Sequence, residues 1–150
     1  PPFEVFVKLH DKSFLAKQPQ HYALGYMWNS PPAEGRPLTT PTKAGVTETI
    51  TLDMAPPTGG WKKDGRLRIQ ARESLGQSVF EIKLNGRTLK PDTDVSDLLP
   101  NPYTVAVGKP EDYRAFTIPA SVLKNGMNTI TITQKRGGQH QLFYLDIAMP

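Results

Sequence analysis

Apolar and polar residues alternate with a period of two along most of the second half of the chain. In residues 47–54, for example, Ile50, Leu52 and Met54 share one face, and polar residues fill the other. A period of two is that of a β-strand with one buried face. The same pattern predicts about eight strands, at residues 3–10, 47–54, 65–72, 79–84, 103–107, 113–118, 128–135 and 142–149.

The pattern also limits the fold class. No stretch of a dozen residues has helical periodicity, and only single turns are predicted at 94–99 and 120–124. Eight strands with one buried face each need two sheets packed face to face. The sequence therefore predicts an all-β, antiparallel β-sandwich of the jelly-roll type, formed as a single domain by residues 1–150. Fifteen prolines and twelve glycines, scattered along the chain, suit short strands joined by turns.

Residues 11–46 are the least regular part of the chain and form a predicted long loop. A structureless loop of that length is uncommon in a compact domain. The segment therefore either carries function or contains a strand near residues 21–28.

Composition excludes several classes of protein. No apolar run is long enough for a transmembrane helix. The absence of cysteine excludes disulfides and thiolate metal sites. The chain begins with Pro1-Pro2-Phe3 and resembles a mature or excised segment from which an export signal has been removed. The formal net charge of +4 slightly favours an anionic partner, although a modest excess of surface lysine and arginine is the simpler interpretation.

Catalytic motifs are missing from the sequence. His10, His21 and His140 have no metal-ligand spacing, and no nucleophile or nucleotide-binding signature occurs. Pairs of carboxylates are expected by chance in a chain with 14 acidic residues. We therefore expect a protein that binds a partner without catalysing a reaction.

The turns of the C-terminal half form a recognisable set. After a strand that ends at Pro119, the chain reads Leu123-Lys124-Asn125-Gly126-Met127-Asn128-Thr129-Ile130-Thr131-Ile132, an L-x-x-G-x-N-x-I-x-I pattern. Residues 80–86 end in Leu84-Asn85-Gly86, and residues 143–148 form a closing strand. Over residues 47–149 the chain thus resembles galactose-binding-like β-sandwich domains. These occur as carbohydrate-binding modules and as accessory jelly-roll domains of glycoside hydrolases and polysaccharide lyases.

The resemblance implies a sugar site at the end of the sandwich opposite the chain termini. Sugar sites combine aromatic rings with polar groups that reach hydroxyls. Strict alternation of eight strands would bring residues 11–46, 73–78, 108–112 and 136–141 to that end, whereas a further strand within 11–46 would reverse the assignment of that segment. The candidate carbohydrate-binding residues are Tyr22, Tyr26, Trp28, Arg72, Tyr113, Arg114, Arg136, Gln139 and His140. Plain packing is the alternative for each aromatic residue.

A structural Ca²⁺ is also implied by the resemblance, with Glu4 and Asp146 as ligands. Both are predicted to point outward on the first and last strands, which are antiparallel neighbours in these domains. A solvated surface pair is the alternative. The run from Asp92 to Asp97 does not match a helix–loop–helix calcium loop, because Asp97 and Tyr103 stand where glycine and glutamate are required. A polar turn is the expected structure there.

Arg66, Arg68 and Arg72 are predicted to form an outward row on one strand. They would bind carboxylates or sulfates of an acidic glycan, or form a solvated face that pairs with Glu81 on the next strand. The sequence analysis thus favours a non-catalytic carbohydrate-binding module of a secreted polysaccharide-degrading enzyme, with an acidic glycan as the first ligand hypothesis. Its expected partners are a polysaccharide and the catalytic domain of the same parent chain, with no nucleic acid or membrane, and it is expected to be monomeric. The alternative is a structural accessory domain without its own ligand.

Overall fold

The structure, a computed structural model, describes residues 20–25, 40–98 and 108–150. Over these residues the chain forms ten β-strands and two short 3-10 turns, with no α-helix. The strands are β1 (Gln20–Gly25), β2 (Thr40–Thr42), β3 (Thr47–Met54), β4 (Gly65–Ala71), β5 (Val79–Leu84), β6 (Arg87–Thr88), β7 (Lys90–Asp92), β8 (Tyr113–Ile118), β9 (Gly126–Arg136) and β10 (His140–Met149).

The strands form two antiparallel sheets. Sheet A has the order β1-β10-β4-β8-β7, with β2 also paired to β10, and sheet B has the order β3-β9-β5-β6. The inward faces of the two sheets meet in one apolar core, to which Leu52, Ile69, Ile82, Ile132 and Leu145 contribute buried side chains. The prediction of an all-β antiparallel sandwich is confirmed.

The predicted strands are confirmed over the described residues. β3, β5 and β8 have the predicted bounds, and β4, β9 and β10 differ from them by one or two residues at an end. The strand suspected near residues 21–28 is β1. The predicted strands at 3–10 and 103–107 lie outside the described residues.

A β-bulge in β10 corrects one predicted side-chain orientation. A period of two along residues 142–149 predicts Phe143 on the same inward face as Leu145 and Ile147, but the register of β10 against β4 shifts between Leu142 and Tyr144. The extra residue of a bulge reverses the faces on one side of it. Leu142 therefore belongs to the core, and Phe143 lies outside the core cluster, with the Arg72 guanidinium 5.2 Å from its ring centroid.

Of the two single helical turns predicted from the sequence, one is confirmed and the other is wrong. Ala120–Val122 forms the predicted turn as a single 3-10 turn. Residues 94–98 do not form a helical turn. Asp94 instead closes an Asx turn, in which its Oδ1 accepts hydrogen bonds from the backbone N and the Oγ of Ser96, at 3.0 and 2.6 Å.

The strand registers define the end of the sandwich at which most candidate residues lie. Ala71 is paired with Leu142, Gln70 with Tyr113, and Val79 with Arg136. Residues 72–78, 108–112 and 137–139 are therefore together at the end opposite Met149, which we call the loop end. No helix in the described part of the chain is long and apolar enough to cross a membrane.

Candidate functional site

Six of the nine predicted sugar-binding residues are at the loop end: Arg72, Tyr113, Arg114, Arg136, Gln139 and His140. Tyr22 is not. Its side chain is only 2% exposed, and its hydroxyl donates a 2.6 Å hydrogen bond to the carbonyl oxygen of Ala55 near the opposite end. Burial raises the pKa of Tyr22 to about 12. Tyr22 is therefore a core residue. It lies on β1, the further strand that the sequence analysis allowed for within residues 11–46, and is paired with Ile147 of β10.

Two of these loop-end residues, Arg114 and His140, contact the 76–78 segment. The Arg114 guanidinium donates to the carbonyl oxygens of Gly76 and Ser78, at 2.8 and 3.3 Å, and burial lowers its pKa. His140 Nε2 is 2.7 Å from Ser78 Oγ. Arg72, Arg136 and Gln139 are exposed. Tyr26, Trp28 and Glu4 lie outside the described residues.

The predicted arginine row is corrected by the structure. Arg66 and Arg68 do lie on the outward face of sheet A, but their exposed fractions are only 8% and 9%. The 92–97 segment covers them, because β7 leads it back across this face. Arg66 donates to the carbonyl oxygen of Ser96 at 2.8 Å and lies 3.4 Å from both Asp92 and Asp94.

The predicted pairing with Glu81 is also wrong. The neighbours of β4 in sheet A are β10 and β8, whereas Glu81 belongs to sheet B. Glu81 lies 3.8 Å from Lys135, on the adjacent strand β9.

Arg68 and Asp146 form a buried ion pair on this outward face. They are directly opposite in the register of β4 and β10, and Asp146 is 1% exposed. Arg68 Nε lies 3.0 Å from Asp146 Oδ1, and Nη2 lies 2.5 Å from Oδ2. Burial alone lowers the pKa of Arg68, but the negative charge of Asp146 reverses this effect and raises it. The pair is thus held in its ionised form.

Further hydrogen bonds connect this pair to its surroundings. Arg68 Nη2 donates to Asp97 Oδ1 at 2.6 Å, and Nη1 donates to the carbonyl oxygen of Val95 at 3.1 Å. Tyr144 donates its hydroxyl hydrogen to Asp146 Oδ2 at 3.1 Å. Burial and the charge of Asp146 raise the pKa of Tyr144 well above its ordinary value.

Asp146 therefore points outward as the sequence predicts, but it is buried and is not a solvated surface carboxylate. Both of its oxygens accept hydrogen bonds from Arg68, and a cation at Asp146 would have to displace that guanidinium. The described residues contain no group of three or more His, Cys, Asp or Glu side chains arranged for a metal ion. In the 92–97 segment, one carboxylate oxygen of each aspartate lies within 3.4 Å of Arg66 or Arg68.

A cleft of about 610 Å³ opens beside the buried ion pair. Arg68 and Tyr113 line it from the sheet, and two stretches of chain, residues 93–97 and 108–110, line it from either side. We call it the arginine cleft. Its volume is within the range of small-ligand sites in proteins.

Gly108 is required where the second stretch enters the cleft. Its φ is +84°, and a Cβ atom there would lie 2.8 Å from Gln70 Nε2 and 2.9 Å from Asp112 Oδ2. Asp112 Oδ2 also accepts a 2.9 Å hydrogen bond from the backbone N of Lys109. The backbone of this side of the cleft is thus fixed by Asp112, while the Lys109 side chain remains exposed.

The groups that line the cleft are of mixed chemistry. Tyr113, Val95 and Pro110 supply apolar surface, and the polar groups are Asp94, Asp97, Ser96, Thr93 and Lys109. The Arg68 guanidinium lies 5.0 Å from the Tyr113 ring centroid. Burial raises the pKa of Tyr113 to about 12, so its phenol is neutral.

Of the cleft residues, Tyr113 was among the predicted sugar-binding residues, and Arg68 was named as part of the predicted arginine row. Asp94, Asp97 and Lys109 were missed. The three aspartates of residues 92–97 could have indicated a segment complementary to the arginines of β4.

Comparison with known proteins gave structural matches only. A scan against protein-family models found no match, and a search of curated proteins found none. The chain is similar in structure to BpGH86A, a beta-porphyranase of glycoside hydrolase family 86 from the human gut bacterium Bacteroides plebeius, with a TM-score of 0.51 and 16% sequence identity. This match covers 86% of the present chain and 20% of BpGH86A.

A second match is BuGH86, whose structure was determined in complex with neoagarooctaose. The TM-score is 0.51 and the sequence identity 13%, over 85% of the present chain and 18% of BuGH86. Identities this low show a shared fold. The chain spans about a fifth of the length of each of these two proteins, so the same β-sandwich fold occurs there as one part of a larger chain.

Proposed function

We propose that this chain is a non-catalytic carbohydrate-binding domain of a secreted polysaccharide-degrading enzyme, and that the sugar lies in the arginine cleft. The observation that carries the proposal is the cleft itself, a space of about 610 Å³ whose lining combines apolar surface with hydrogen-bonding groups. Pyranose rings present both kinds of surface, since C–H groups and hydroxyls alternate around them.

The two structural neighbours support the polysaccharide context. One is a beta-porphyranase and the other was solved with neoagarooctaose bound, and in both the matched region is a minor part of the chain. By analogy, the parent chain of this domain would carry a catalytic domain elsewhere. The resemblance to galactose-binding-like domains points the same way.

A non-catalytic role is supported by the state of the ionisable groups. Asp94, the exposed carboxylate at the cleft, has a pKa lowered by its hydrogen bonds from Ser96 and by Arg66. A glycosidase general acid needs the opposite shift. Asp146 is neutralised by Arg68. Ser78 and His140 are hydrogen-bonded, but Ser78 is 5% exposed and packs against Gly137, which leaves no room for a substrate to reach its Oγ.

Affinity electrophoresis against neutral and acidic polysaccharides, with and without calcium, tests the proposal. A matched pair of variants locates the site. Thr93→Trp places a large ring in the cleft from an exposed position, and Thr49→Trp makes the same change on the exposed face of sheet B. We expect retardation of the unmodified chain by at least one polysaccharide, loss of retardation in Thr93→Trp, and no loss in Thr49→Trp.

Two outcomes would count against the proposal. Unchanged migration across the whole panel would contradict carbohydrate binding. Full retardation of Thr93→Trp would exclude the cleft and direct attention to the exposed loop-end residues Arg72, Arg136 and Gln139.

The exposed face of sheet B favours a second candidate, a structural accessory domain. Three threonine pairs lie directly opposite one another on β3 and β9, namely Thr47 with Thr133, Thr49 with Thr131 and Thr51 with Thr129. Met127, which is 53% exposed, is the next outward residue on β9. Asp53, Glu81, Lys83 and Lys135 flank this row of small side chains, so the face would suit a partly polar contact with the catalytic domain of the parent chain. Co-purification of the two domains, with no polysaccharide binding by this chain, would support it.

A further inference from the structure

The arginine cleft does not share the positive charge of the whole chain. The ionic groups that line it are two carboxylates and two cations, and their ion-pair partners add one carboxylate and one guanidinium, so these charges sum to zero. The lining groups are Asp94, Asp97, Arg68 and Lys109, and the partners are Asp146 and Arg66. The chain as a whole has a formal net charge of +4, so the bulk charge does not describe this site.

Most N–H donors of the two arginines are already engaged, and the Arg66 Nε, which has no hydrogen-bond partner among the described residues, is buried. Four N–H donors of Arg68 point at Asp146, Asp97 and the carbonyl oxygen of Val95. Both terminal nitrogens of Arg66 contact the 92–97 segment. A sulfate or uronate would have to displace a carboxylate from a guanidinium that is about nine-tenths buried, and would leave that carboxylate uncompensated.

The exposed charged groups of the cleft are two carboxylates and the Lys109 ammonium. The Asp94 side chain is 60% exposed and that of Asp97 is 31% exposed. Asp97 binds Arg68 through Oδ1, and its Oδ2 has no hydrogen-bond partner among the described residues. Ionised carboxylates only accept hydrogen bonds, and sugar hydroxyls donate them. An anionic substituent at the same place would face like charge.

We infer that the arginine cleft selects uncharged glycans over sulfated or uronic ones, with Asp94 and Asp97 accepting hydrogen bonds from sugar hydroxyls. This inference rests on the proposed function and names the ligand class of the same site. It replaces the acidic glycan that the net charge suggested.

The test compares each neutral oligosaccharide with its own sulfated form by titration calorimetry. Neoagarooctaose and matched oligosaccharides of neutral glucans are the probes, each used before and after chemical sulfation. We expect the neutral form to bind more tightly, and the difference to widen as ionic strength is lowered, because salt screens the repulsion. Tighter binding of a sulfated form that strengthens at low salt would overturn the inference while leaving carbohydrate binding intact. No binding of any probe would overturn the proposed function itself.

Charge variants of the cleft test whether the preference for the neutral form changes in the expected direction. Asp94→Asn keeps an oxygen that can accept from Ser96 but removes one negative charge, and should reduce the preference for the neutral form by about threefold to tenfold. Lys109→Gln removes the exposed cation and should increase that preference. Glu81→Gln, the same kind of change on sheet B, should have no effect. Equal preferences in all three variants would contradict the inference.

Discussion

Arg68 and Asp146 lie directly opposite each other on β4 and β10 and are joined by two hydrogen bonds, of 3.0 and 2.5 Å, on the outward face of sheet A. Both side chains are buried, so the charges are removed from water and depend on each other. The same arginine holds Asp97, and through it the wall of the arginine cleft. The pair therefore links the stability of sheet A to the shape of the candidate site.

Asp146→Asn tests this dependence. The substitution leaves the Arg68 charge buried without its main partner, and we expect the free energy of unfolding to fall by about 3–5 kcal/mol. Lys135→Ala breaks the exposed ion pair with Glu81 and should cost less than about 1 kcal/mol. Urea denaturation of both variants provides the comparison. Similar, small losses in the two would show that the buried pair contributes little.

Asn128 is the second buried polar residue on which local structure depends. Its amide is fully buried, donates to the carbonyl oxygens of Lys124 and Gly126, and accepts from the backbone N of Lys124. It also accepts a 2.8 Å hydrogen bond from Asn85 Nδ2, which connects the β5–β6 turn to the start of β9.

We predict that Asn128→Ala lowers the free energy of unfolding by about 2–4 kcal/mol, because several buried donors and acceptors lose their partners together. Asn125→Ala, an exposed asparagine of the same turn, is the matched control and should change stability by less than about 0.5 kcal/mol. Thermal unfolding followed by circular dichroism measures both. A loss in Asn128→Ala no larger than in the control would contradict the role of this amide.

The Asn85 and Asn128 turns show which features could be predicted from the sequence. Glycine, proline and asparagine determine turns through local backbone geometry, and a two-residue period indicates a strand with one buried face. Turns and strands can therefore be predicted without knowledge of distant neighbours. The bounds of β3, β5 and β8 follow for that reason. The bulge at Leu142–Tyr144 leaves no such local signal, and the orientation of Phe143 was predicted wrongly.

Burial on the outward face of sheet A could not be predicted for a different reason. The period of β4 places Arg66 and Arg68 on the correct face, but whether that face is solvated depends on the 92–97 segment, about 30 residues further along the chain. The same tertiary contact creates the arginine cleft. The sequence predicted Tyr113 near the loop end. The position of Asp97 in the cleft depends on its contact with Arg68, which no local pattern indicates.

Three of the five tyrosines should resist ionisation while the chain is folded. Burial raises the pKa of Tyr22 and Tyr113 to about 12 and that of Tyr144 well above 10.0. A raised pKa in the folded state gives stability that is complete below pH 10, the ordinary tyrosine value, and is lost as the pH rises towards 12. We predict that the tyrosinate absorbance of these residues develops together with the loss of β-structure. Ionisation of all five near pH 10 with the fold intact would contradict this.

Comparing replacements of Gly108 and Gly76 separates the cost of backbone strain from the cost of crowding beside the cleft. Gly108→Ala must adopt φ +84° and brings a Cβ atom to within 2.9 Å of Gln70 and Asp112, whereas Gly76→Ala, at φ +53°, meets nothing within 4 Å. The left-handed conformation alone costs about 1–2 kcal/mol, which both variants share. We expect Gly108→Ala to lose more stability than Gly76→Ala and, in addition, to weaken oligosaccharide binding at least severalfold, because the 108–110 wall has to move. Calorimetry of unfolding and of binding measures the two effects. Equal losses in the two variants, with unchanged sugar affinity, would show that this wall is not part of the binding site.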